Sequence, residues 1–187
     1  MKWIIIFILM TSCLQSQMRY ELECDKELLK KSEEIARNQV GVLEKSNRND
    51  GKRIAEYLRS VGINSPAPYC AAGVYYCFCM AKDEVGGNIP IVRSGVAIRI
   101  YFEAKAGRKS RYSPERHDLI VWKRSKTWQG HIERIVEVGR GGWVRTVAFN
   151  VRQGGKEGVF YKRRNVFHPL GRLGILGLVG FREREKQ

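Results

Sequence analysis

Between Asp25 and Leu43 the apolar residues Leu28, Leu29, Ile35, Val40 and Val42 recur among charges at mostly helical spacing. This predicts an amphipathic helix with Asp25 as its N-cap and a stop near Gly41. In "NDGKRIAEYLRSVG", Ile54, Tyr57, Leu58 and Val61 fall on one side, with Asp50 as a cap and Gly62 as the stop, which predicts a second helix. A third is expected to begin at Pro68, a residue favoured in the first helical turn, and to carry Ala71, Ala72, Val74, Cys77 and Phe78. Ser94 to Gly107 is mixed, because Val96, Ile98, Ile100 and Phe102 alternate like a strand while its Ala and Lys content suits a helix; the helix is preferred. After Pro114 the pattern changes to short runs, "DLIVWKR", "HIERIVEV", "WVRTVAFNV", "GVFYKRR" and "LGILGLVGF", each bounded by Gly, Asn or charged turns. Helices followed by about five antiparallel strands describe one α+β domain, placed at residues 25–182.

The first 17 residues read differently. Lys2, the apolar run "WIIIFILM" and the small-residue exit "TSC" have the layout of an export signal, and eight apolar residues are too few to span a bilayer as a helix. "LMTSC" resembles a bacterial lipoprotein cleavage site, which would make Cys13 the lipid-bearing first residue and anchor the chain to a membrane; cleavage near Ser16 would instead discard it. Export to the periplasm or to a membrane surface is expected in either case. The formal net charge of +15 calls for an anionic partner, and export disfavours nucleic acid, leaving an acidic wall polymer or a lipid surface.

An even set of cysteines, Cys24, Cys70, Cys77 and Cys79, in an exported chain suggests one or two disulfides, with Cys24 joined to Cys77 or Cys79. Cys70 does not fit that scheme. On one helix Cys77 is about 10 Å along the axis from it, and Cys79 is turned roughly 180° away. No metal site is expected, since "CFC" lacks a two-residue spacer and His117, His131 and His168 are scattered.

A cysteine at a helix N-terminus sits at the positive end of the dipole, among N–H groups that favour a thiolate and can hold an oxyanion. Such a thiolate needs a base. His131 opens a strand after "QG", and Asn150 near the end of the next strand could orient its imidazole.

These residues carry a resemblance. "NQVGVLEKSNRNDGKRIAEYLRSVGINSPAPYCAAGVYYC", "HDLIVWK", "QGHIERIVEV", "VRTVAFN" and "GVFYKRR" resemble, in order and over about 120 residues, the CHAP family of cysteine- and histidine-dependent amidohydrolases and peptidases of bacterial cell wall. The resemblance implies a papain-like core needing no cofactor, with Cys70 as nucleophile, His131 as general base and acid, and Asn150 as orienting group. It also implies peptidoglycan as partner, for a chain acting as a monomer. Tyr69, next to Cys70, is expected to line the cleft, and Trp128 to contact substrate or sit at the rim.

Three departures stand out. Where the family's last motif reads Glu–Gly–Asn, this chain has Ala148, Phe149 and Asn150, so a carboxylate that some members use beside the histidine is absent. After Gly130 and His131 come Ile132, Glu133 and Arg134, two charges where small and apolar residues are usual. Glu133 shares a strand face with His131 and reads as solvated or arginine-paired rather than as part of the catalytic set. His117 stands where the family carries Gly before Asp–Leu, and reads as structural. The altered surroundings leave a second reading open, a wall-binding module with little or no turnover.

Overall fold

A computed structural model of the chain describes residues 17–184. The expected leader and Cys13 lie outside them. The elements run β1 (Met18–Asp25), α1 (Lys26–Asn38), α2 (Lys52–Ser60), α3 (Cys70–Val85), α4 (Ala97–Ala104), β2 (Arg108–Ser110), β3 (Leu119–Lys123), β4 (Gly130–Val138), β5 (Trp143–Gln153), β6 (Lys156–Asn165) and β7 (Gly174–Arg184). The domain is α+β, with a sheet of seven strands rather than about five, in the order β2-β1-β7-β3-β4-β5-β6. All neighbours pair antiparallel except β1 and β7, which are parallel from Met18↔Gly177 to Asp25↔Arg184. The packed unit therefore reaches back to Met18, seven residues before the expected start at 25.

Four helices form where the pattern placed them, with shifted ends. The first stops at Asn38, because Gly41 donates to the Val159 carbonyl (2.9 Å) and Val42 accepts from the Val159 N–H (2.9 Å), so 41–42 bond to β6 instead. Neither expected acidic cap serves its helix through its side chain. The Asp25 carboxylate pairs with Arg184 (3.1 Å), and that of Asp50 accepts from the Ser46 N–H (2.8 Å) and hydroxyl (2.7 Å). Gly62, at φ 82°, ends the second helix as expected.

The helices cover one face of the sheet. Leu28, Ile54, Tyr57, Phe78 and Ile100 meet Leu119, Val121, Ile132, Val147, Phe149 and Val179 there. A smaller cluster of Ile120, Trp122, Ile135, Val144, Val166 and Leu178 has Tyr112, Leu170 and Leu173 packed against it. Arg134 belongs to the scaffold: its guanidinium donates to the Ser32 hydroxyl (2.9 Å) and Leu29 carbonyl (3.0 Å) and lies 5.1 Å from the Phe78 ring, tying α1 and α3 to β4.

The expected disulfides do not form. Cys24, Cys70, Cys77 and Cys79 are all free thiols, the first three buried. Cys77 donates to the Gly73 carbonyl within its own helix (3.1 Å), and burial pushes its thiol up to about 12, so it is inert.

Candidate active site

The third helix begins at Cys70 itself, two residues later than Pro68 suggested, which puts the thiol in the first helical turn. Gly73 fixes where this helix lies on the sheet. A methyl group there would fall on the ring of Phe149, so the large residue that replaces the resembling family's glycine is accommodated by a glycine on the opposing helix.

Burial pushes the Cys70 thiol up, but the adjacent His131 imidazole and the N–H groups of Ile132 and Ala71 outweigh it and bring the pKa below the ordinary thiol value. Burial also lowers His131, and here the sulfur and Glu133 prevail, raising the imidazole to about 10. The two shifts therefore favour a thiolate beside an imidazolium.

The residue that orients the imidazole is Glu133. Its Oε1 lies 3.0 Å from His131 Nε2, which leaves Nδ1 as the nitrogen for the sulfur. Glu133 is 0% exposed, and its own anionic charge is sustained from behind. The Arg164 guanidinium donates to both carboxylate oxygens (2.6 to 3.0 Å), and the Thr146 hydroxyl donates to Oε2 (2.6 Å). Burial raises this carboxyl, yet His131 and Arg164 carry it down to about 2. The sequence reading of Glu133 as arginine-paired holds, but the residue is buried and bound to the histidine, not solvated.

Across the sheet Glu133 pairs with Ala148, the position where the resembling family carries its carboxylate. The carboxylate is thus present on the neighbouring strand, and the short Ala148 side chain leaves room for it. Two signals in the sequence pointed here: an acid two residues after the histidine, hence on its face, and an alanine in place of the expected glutamate.

Asn150 does not orient the histidine. It sits at φ 57° where the β5–β6 register shifts, so the strand's alternation is broken and its amide turns to Asn49 Oδ1 (2.7 Å) and Glu44 Oε1 (3.3 Å). Tyr69 is also misplaced by the sequence reading. It is 0% exposed, packs on the Tyr57 ring at 5.9 Å and lines no part of the cleft, because the chain enters the helix with Cys70 facing out and Tyr69 facing the core.

His117 takes φ 78°, a conformation that glycine adopts freely, and its Nδ1 lies 2.7 Å from Glu33, itself bound by Arg37 and Arg116. Its role is structural, as expected. Glycine is required at Gly130 by contact, since a methyl group would sit 2.6 Å from Ile98 and from the Trp122 carbonyl.

Two recesses meet at Gly130. One, of about 630 Å³, is lined by Val61, Pro68, Cys70, Val96 and Trp128, with Arg93 and Arg99 at its margin; Trp128 is 69% exposed and stands at the rim. The other, of about 360 Å³, holds His131, Arg152, Lys162 and Arg164. Among the described residues no cluster of His, Cys, Asp or Glu is arranged to hold a metal ion. Compared with known proteins, the chain matches no family model, no curated protein and no solved structure.

Proposed function

We propose that the protein is an exported cysteine amidohydrolase or peptidase of the CHAP type, with a papain-like core, acting on amide bonds of peptidoglycan. The observation that carries this reading is a buried Cys70–His131–Glu133 line at a helix N-terminus, opening into a cleft. Thiolate, imidazolium and carboxylate in that order are the parts an acyl transfer requires.

In the first half-reaction Cys70 Sγ adds to the amide carbonyl. The first-turn N–H groups, including that of Cys70, hold the oxyanion; the C–N bond then breaks as His131 gives its proton to the leaving amine. In the second, His131 takes a proton from water, the hydroxyl adds to the thioester, and the C–S bond breaks to release the carboxylic acid and regenerate the ion pair. Glu133 holds the ring through both halves, and Arg164 with Thr146 holds Glu133. The net change is one amide and one water to one acid and one amine, without a cofactor.

The peptidoglycan target rests on the resemblance, the export signal and the charge of +15, which suits an anionic wall. The alternative of a wall-binding module drew on the missing carboxylate at Ala148 and on the charged Glu133–Arg134 pair. Glu133, opposite Ala148, supplies a carboxylate to His131, and Arg134 is bound within the scaffold, which favours the enzyme reading. Digestion of purified peptidoglycan by the wild type and by Cys70→Ala, with fragments identified by mass, tests the proposal. Fragments from the wild type alone would support it and name the bond; wall binding by both proteins without release would favour the module.

A further inference from the structure

The two recesses divide the groups of the site between them. The Trp128 recess reaches Cys70 but not His131, whereas the smaller one reaches His131 but not Cys70. In the reaction above, the acyl half stays on sulfur and the amine half receives its proton from the imidazole, so the amine half lies over the smaller recess.

That recess is lined by three basic side chains besides His131, which Cys70 and Glu133 answer, and by no acid, with Val151, Leu170 and Leu173 as apolar wall. Two of the cations are already answered: Arg164 by the buried Glu133, and Arg152 by Glu157 (2.9 Å). Lys162 is not. Its ammonium donates to the Arg152 carbonyl (2.9 Å) and the Gln153 side-chain oxygen (3.0 Å) and lies 5.4 Å from the Phe160 ring, all neutral groups, so no carboxylate is paired with it. Burial and the neighbouring Arg164 charge lower its pKa and Glu133 offsets them only in part, so an anion bound here would relieve a remaining repulsion.

We infer that Lys162 marks a subsite for one carboxylate on the leaving amine, so that the preferred substrates are amides whose amine half is an amino acid or peptide with a free acid group. One uncompensated charge matches one carboxylate, and the apolar wall suits a short aliphatic side chain beside it. The inference rests on the amidase reading for the direction of the substrate, while the anion site itself does not.

Two measurements separate these. The first is alkylation of Cys70 by anionic iodoacetate and neutral iodoacetamide, each rate normalised to that of a free thiol, in wild type, Lys162→Met and, as a control for overall charge, Lys109→Met on β2. The iodoacetate-to-iodoacetamide ratio should fall about tenfold in Lys162→Met, the scale of one charge-assisted hydrogen bond, and stay unchanged in Lys109→Met. An equal fall in both variants, or none in either, overturns the subsite whether or not the protein turns over. The second is hydrolysis of isolated muropeptides, which keep the sugar–peptide amide as well as the stem-peptide bonds, native and after conversion of their carboxylates to carboxamides. Preference for the native peptides that collapses in Lys162→Met supports the inference, and equal cleavage of both overturns the placement on the amine half. A fall in the alkylation ratio with no hydrolysis of either peptide upholds the anion site and overturns the amidase reading and, with it, the assignment to a leaving amine.

Discussion

Glu133 on β4 stands directly opposite Ala148 on β5, and its carboxylate reaches His131 Nε2 at 3.0 Å. The pair explains how the site keeps an acid behind its histidine although the position expected to supply it is an alanine. Cross-strand neighbours have Cβ atoms about 5 Å apart, so a carboxylate moved from one to the other approaches the same imidazole from an adjacent origin.

Glu133→Gln preserves shape and removes the charge. Turnover should fall by roughly ten- to a hundredfold, and the pH at which Cys70 becomes alkylatable should rise, because a less stabilised imidazolium supports less thiolate. A variant with unchanged alkylation and turnover would show that Glu133 only fills space. Glu133→Ala combined with Ala148→Glu should recover part of the loss, whereas Ala148→Glu alone should destabilise the fold by placing two carboxylates together in a dry site.

His131→Ala leaves Cys70 buried without its main source of positive potential. Burial alone pushes the thiol up, so alkylation near neutral pH should slow by at least about tenfold, with the pH profile moving to the alkaline side of an ordinary thiol. An unchanged profile would mean that the first-turn N–H groups suffice.

The ion pair also gives stability a pH signature of known sign. The carboxyl of Glu133 is depressed from 4.5 to about 2, so its contribution is present above about pH 4.5 and is lost as pH falls through about 2. His131 is raised from 6.5 to about 10, so its contribution is fully present below about pH 6.5 and is lost as pH rises through about 10. Denaturant unfolding of wild type and Glu133→Gln should therefore differ most near neutrality and converge towards pH 2. A constant gap across that range would contradict the linkage.

Gly73→Ala puts a methyl group against the Phe149 ring and should cost about 1 to 3 kcal/mol in unfolding free energy. Phe149→Leu in the same chain should return part of it. If the two substitutions are simply additive, Gly73 is constrained by something other than that ring.

The sequence made the helices readable because residues such as Ile54, Tyr57 and Leu58 repeat at a helical period, and it made Cys70 and His131 readable because the residues around them form motifs. β1 was missed, since "MRYELECD" directly follows the expected leader and its mixed polarity hides pairing with a strand some 160 residues away. Asn150 was misread because a register shift breaks the alternation on which facing is inferred. Glu133 was placed on the right face but in the wrong medium: period tells which way a side chain points, and only the Arg164 and Thr146 brought in from other strands make that face dry.

The C-terminal one of the described strands, β7, is not at the margin of the sheet but lies between β1 and β3. Without it β1 and β3 share no strand pairing, and side-chain bonds such as Arg19 to Asp118 (2.9 Å) are left to join the two parts of the sheet. A chain clipped before Gly174 would hold Cys70, His131 and Glu133 and still have its sheet in two parts. Closing the sheet thus waits on the pairing of segments some 160 residues apart, the kind of long-range contact that slows folding.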